Sequence, residues 1–225
     1  MSTQRMSKVN AASDSERAAV FARADLLPDG RENCLAVARK AVDLLHAAAL
    51  ACDEEGVKDS LLTYEAAVLK LNGGTYFACR EAGNPEAGGN IAADWCAAPP
   101  GAEPLWGQEG HFLIAIGHTR ARVRFMEGFG LGGIRFHFHV VDLHRPFISP
   151  TGFCSTFGQV RLGITPRQAA EELLSEMMDR WLSFLEPSSL AFCAGRPTPA
   201  WLSVVLNESQ LPSVETEEGQ LALGF

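Results

Sequence analysis

The chain has 225 residues, a formal net charge of −8, a pI of about 5.3 and 47% hydrophobic residues. This suffices for one domain with a good core or two small ones, and the acidic balance does not advertise non-specific nucleic-acid binding but keeps open an acidic surface that meets a basic partner. No window of about 18 uninterrupted apolar residues occurs, and the opening MSTQRMSKVNAASDSER lacks the apolar core of a signal peptide, so a cytoplasmic protein without membrane contact is expected.

Residues 1–12 are polar and read as a disordered N-terminus. Ser13 or Ser15 can cap a short helix, Glu16–Leu26, closed by Pro28-Asp29-Gly30. From Glu32 to about Cys52, the residues Leu35, Val37, Ala38, Val42, Leu45 and Ala49 form a helical apolar stripe. Asp53–Gly56 reads as its closing turn. A second stripe over Val57–Leu71 carries Leu61, Leu62, Tyr64, Ala67, Val68 and Leu71 and stops at Asn72-Gly73-Gly74. The two helices are expected to form an antiparallel hairpin. His46 lies within it and is read as a packing side chain, since a functional histidine needs identifiable partners.

Thr75–Cys79 has the composition of a short strand. Residues 80–110 are rich in Gly, Pro and Asn, yet Ile91, Trp95 and Trp106 seek burial, so a packed loop is expected.

The most strongly patterned stretch is His111–His144. It reads as three antiparallel strands: His111–Ile116, Arg120–Met126 and Ile134–Leu143. In the second, Ala121, Val123 and Phe125 alternate with Arg120, Arg122 and Arg124. In the third, Ile134, Phe136, Phe138 and Val140 alternate with Arg135, His137 and His139. Period two marks strands buried on one face. The apolar faces must share one core, and a slip of one residue would turn the arginines inward. That requires Ile114 opposite Ala121 and Phe112 opposite Val123, which leaves Gly117-His118 as a two-residue loop suited to a type II′ turn. The glycine-rich connection Glu127–Gly133 leaves the second register open by an even number of residues.

Beyond the sheet, Phe147-Ile148, Phe153–Phe157 and Gln159–Leu162 read as short strands. Cys154 reads as core, because a nucleophilic thiol needs a nearby base. Thr165-Pro166 opens a long helix, with Thr165 as cap and Pro166 in the first turn; Leu173, Leu174, Met177 and Trp181 lie on its apolar face. Pro187 ends it. Leu190–Cys193 and Trp201–Leu206 read as two further strands, and residues 207–225 as an acidic tail whose Leu221, Leu223 and Phe225 could dock. The fold expected is α+β: an N-terminal helical hairpin, then an antiparallel meander sheet covered by a long C-terminal helix. The domain runs over 13–206, with a helical part 13–72, the long loop 80–110, the sheet 111–163 and the helix 166–186.

The six cysteines include no C-x-x-C pair and read as reduced thiols. No catalytic motif stands at specific spacing. The candidate binding residues are Arg120, Arg122, Arg124, Arg135, His137 and His139, gathered on the polar face of the sheet. Like charges opposed on a sheet destabilise it, so solvent, carboxylates from a covering segment or a bound anion should compensate. His137-x-His139 with His111 or His144 resembles a metal pair only superficially: His144 has the wrong parity, and the arginines oppose a divalent cation. No metal and no cofactor are expected. Arginine forks suit phosphates, but this reading places no aromatic on the face for stacking bases. The expected function is that of a small, non-catalytic accessory or regulatory protein that binds a macromolecule, first a protein, of the kind bacterial mobile elements encode. The alternatives are nucleic-acid or phosphate binding through the Arg/His face, or a small enzyme with His137 or His139 as acid or base beside Arg122.

Overall fold

Residues 3–127 and 133–208 are described, from a computed structural model. They hold α1 (Thr3–Leu26), α2 (Arg31–Leu50), α3 (Glu54–Leu71), α4 (Gly88–Cys96), β1 (Gly110–Ile116), β2 (Thr119–Glu127), β3 (Gly133–Val140), β4 (Phe153–Gln159), α5 (Pro166–Trp181), α6 (Pro187–Ala194) and α7 (Ala200–Glu208). The class is α+β. One compact unit runs through Gly195 and a second begins at Arg196; the second contributes α7 to the described residues.

Helices α2 and α3 form the expected hairpin. Ala38, Ala41, Val42 and Leu45 of α2 and Tyr64, Ala67 and Val68 of α3 are buried, and the alanines let the backbones approach closely. Asp53 does not close α2. It is the N-cap of α3, where its side chain accepts from Gly56 N at 3.0 Å. Helix α1 begins at Thr3, ahead of the expected Glu16. Its Val20 and Ala24 pack with Ala66 and Leu69 of α3. Arg23 fixes it further, donating to Asp59 and to Thr63 at 2.6 Å each.

The sheet is a meander ordered β1-β2-β3-β4, antiparallel throughout. Phe112 lies opposite Val123 and Ile114 opposite Ala121, as the pattern requires. Gly117 has φ +56, while His118 is absent from the non-glycine residues of positive φ. One positive φ at the first loop position is the type II′ arrangement. The open register resolves to Val123 opposite Phe138 and Phe125 opposite Phe136. Between β2 and β3, residues 128–132 lie outside those described.

Phe112, Ile114, Ala121, Val123, Phe125, Ile134, Phe136 and Phe138 form one core with Ala169, Ala170, Leu174 and Met177 of α5. The tip of the helical hairpin joins it through Leu45, Ala49 and Val57. Trp106, fully buried, lies between the layers: its Nε1 donates to Ile164 O at 2.8 Å, and its backbone N donates to His46 Nδ1 at 3.3 Å. His46 is thus a packing residue, and burial lowers its pKa. Gly107 beside it has φ +85, and a Cβ there would meet Leu45 Cδ2 at 2.9 Å, so only glycine fits.

Several short elements differ from the sequence reading. Thr75–Cys79 forms turns, and residues 88–96 of the expected loop form α4. Phe153–Gln159 is one strand, while Phe147 makes only a lone bridge to Ser183. Pro187 starts α6 in place of merely ending α5, and Leu190–Cys193 and Trp201–Leu206 lie in α6 and α7. Short apolar runs do not separate strand from helix by periodicity, and proline at a first helical position favours the helix. Helix α5 stops at Trp181, which is 57% exposed and outside the core to which its spacing assigned it. The capping box is complete, with Thr165 accepting from Gln168 N and the Gln168 side chain accepting from Thr165 N at 2.8 Å. The expected acidic tail, apart from Asn207 and Glu208, lies outside the described residues.

Candidate nucleic-acid interface

Alternation along β2 and β3 sends every second side chain to the face opposite the core. Pairing sets these side chains in rows across the sheet. His111, Arg124, His137 and Ser155 form one row; Leu113, Arg122, His139 and Phe153 the next; Met126, Arg135 and Phe157 a third. Each arginine of the first two rows therefore faces a histidine on β3, and no arginine stands directly opposite another.

Three features relieve the charge. The first is neutral imidazole. His137 has its pKa lowered by burial and then by Arg124 and Arg135, and His111 by burial and then by Arg124 and Arg122. The second is a carboxylate. Arg120 forks onto Asp142, its Nε donating to Oδ2 at 2.9 Å and its Nη2 to Oδ1. The regular strand ends at Val140, so the parity that placed Asp142 on the other face no longer binds it. Arg120 is thereby committed to an internal partner, and the arginine in turn holds the Asp142 carboxyl below its usual range. The third is a ring. The Arg135 guanidinium lies 4.6 Å from the centroid of Phe157.

The edge strand also supplies what the sequence reading missed. Because β4 pairs Phe153 with His139 and Phe157 with Arg135, both phenylalanines lie on the Arg/His face. They are 41% and 71% exposed. The Phe153 ring packs against His139 and His137, with centroids 5.0 and 5.4 Å apart. The expectation of a face without aromatics is therefore overturned. The alternation Phe153-Ser155-Phe157 was visible in the sequence, but its side of the sheet depends on a register that crosses a turn of irregular length.

At the Met126–Arg135 end, the segment after α3 closes over the face. Arg80 donates to Glu109 at 3.1 Å, and a cleft of about 930 Å³ opens there between Arg124 and Arg135 on one side and Asn84, Asn90 and Asp94 on the other. Cys154 faces the core, where burial raises its thiol pKa and Sγ lies 3.6 Å from Met177 Sδ. His118 and His144 are exposed and lie off the face, in turns. Among the described residues, no three His, Cys, Asp or Glu side chains converge to hold a metal.

The fold and this face define an α+β chain in which a helical bundle supports an antiparallel sheet with a cationic, aromatic-edged outer surface. Comparison with known proteins adds a family likeness. Residues 16–95 match the family described as the KlcB N-terminal DNA-binding domain, and residues 109–187 match the one described as the KlcB third domain. The chain is similar to two Escherichia coli proteins named Protein KlcB. One is 38% identical over 191 residues, covering 84% of this chain and 41% of the relative; the other is 39% identical over 181 residues, covering 79% and 44%. The chain thus spans less than half the length of these relatives. No solved structure matches it. No described helix is long and apolar enough to cross a membrane.

Proposed function

We propose that the chain is a small, non-catalytic accessory protein that binds DNA, with Arg122, Arg124, Arg135, His137 and His139 holding the phosphate backbone. DNA then takes the place that the sequence assigned first to a protein partner. The observation that carries this reading is the concentration of Arg122, Arg124 and Arg135 on one sheet face, with Arg122 opposite His139 and Arg124 opposite His137. Such a field attracts anions and falls with salt. The likeness of residues 16–95 to a family described as a DNA-binding domain supports a nucleic-acid partner. In that segment acidic residues outnumber basic ones. Arg23 and Lys70 are engaged with Asp59 and Asp29. These features direct the phosphate contacts to the sheet.

The family description also favours a second reading, in which Arg31, Arg39 and Lys40 of α2 contact the DNA. Arg31 and Arg39 lie 3.4 Å from Glu86 and Asp43, respectively, so DNA would have to displace those carboxylates. Duplex binding measured by fluorescence anisotropy across a salt series separates the two. Arg124→Ala should weaken binding of all sequences and lower the salt slope by about 1, while Lys40→Ala should leave it unchanged. The reverse result moves the interface to α2, and no binding at low salt removes the DNA reading.

A further inference from the structure

The edge strand β4 gives the outer face a chemistry that phosphate binding does not require. Phe153 and Phe157 are 41% and 71% exposed, and neither belongs to the core. They stand four residues apart on one face, about 13 Å along the strand, with the small Ser155 between them. Arg135 lies over Phe157, and Arg124 stands in the next row on β2. His137 and His139 brace Phe153 from the neighbouring strand. A duplex presents phosphates and groove edges but hides its base faces, so exposed phenyl rings gain little from it. A single strand presents phosphates and open base faces together, and aromatic platforms beside cationic grooves are how such strands are held.

We propose that this face binds single-stranded DNA, with bases stacked on Phe157 and Phe153 and phosphates on Arg135 and Arg124. The proposal rests on the reading of the sheet as a nucleic-acid surface and narrows it. The competing occupant is a protein strand added to the open edge of β4, which would read backbone groups and ignore bases.

Fluorescence anisotropy at about 50 mM salt tests this on the full chain. The probes are an oligo(dT) of about 15 nucleotides, a base-free strand of equal length and charge, and a duplex of that length. Oligo(dT) should bind more tightly than either of the others. Phe157→Ala should weaken oligo(dT) binding by roughly 5- to 100-fold, leave duplex binding unchanged and leave the melting temperature intact, since the ring is exposed. Phe157→Tyr should restore oligo(dT) binding. Equal affinity for oligo(dT) and the base-free strand, or oligo(dT) binding insensitive to Phe157→Ala, overturns the inference. Duplex binding without oligo(dT) binding also overturns it but leaves the phosphate-binding reading standing. Failure of all three probes to bind removes both and leaves the edge to a protein strand.

Discussion

Arg124 of β2 stands directly opposite His137 of β3, and the imidazole pays for that position with a pKa below the ordinary 6.5. Burial is the larger cause; Arg124 and Arg135 add to it. A bound phosphate reverses the local field and should raise this pKa. DNA binding is therefore expected to strengthen as the pH falls below about 6.5. The check is an NMR titration of His137 with and without an oligonucleotide. Arg124→Ala should raise the His137 pKa in the free protein; a pKa that does not respond would detach the histidine from the charged row.

The same shift has a consequence for stability. The folded pKa lies below the unfolded one, so the unfolded chain takes up the proton first. His137 and His111, both lowered, should make the protein less stable as the pH falls from about 6.5. His137→Gln should flatten that slope. Urea titrations at pH 7.5 and 5.5 measure it, and an unchanged slope would count against the depressed value.

Phe138 is fully buried, whereas Trp181 is 57% exposed. Phe138→Ala is expected to cost about 3–5 kcal/mol, and Trp181→Ala under about 1 kcal/mol. Denaturant unfolding of both variants checks the pair. Similar losses would place Trp181 back in the core.

Asp142 holds Arg120 on the sheet face. Its lowered carboxyl pKa means that the pair's stabilisation is present above the ordinary value of 3.8 and lost as the pH falls through the folded one. Both side chains are less than one third exposed, so Asp142→Ala should cost about 1–2 kcal/mol at neutral pH. It also frees a guanidinium beside Arg122. If the face binds phosphate, the variant should bind DNA more tightly, with a salt slope steeper by about 1. Weaker binding would show that the ion pair positions the site.

Glu65 on α3 has its pKa pushed up to about 7 by burial and by Glu16 of α1. Its folded value exceeds its unfolded one, so its cost grows between about pH 4.5 and pH 7 and is full above that. Glu65→Gln should raise the melting temperature at pH 8, and the gain should vanish near pH 4. A gain independent of pH would assign the effect to packing.

By itself the sequence determined the hairpin of α2 and α3, the first β-hairpin with its register, and the capped start of α5. Each rests on local chemistry: an apolar stripe, a period of two joined by a two-residue glycine loop, and a Thr-Pro cap. It also set Arg120, Arg122, Arg124, Arg135, His137 and His139 on one face, because parity within a strand is fixed by the backbone. Tertiary structure alone decided what that face contains. Phe153 and Phe157 join it through the pairing of β4 with β3, and Asp142 reaches Arg120 because β3 ends at Val140. Leu190–Cys193 and Trp201–Leu206 became helices for a related reason. A run of four to six apolar residues suits either structure, and neighbours distant in sequence determine which one buries it.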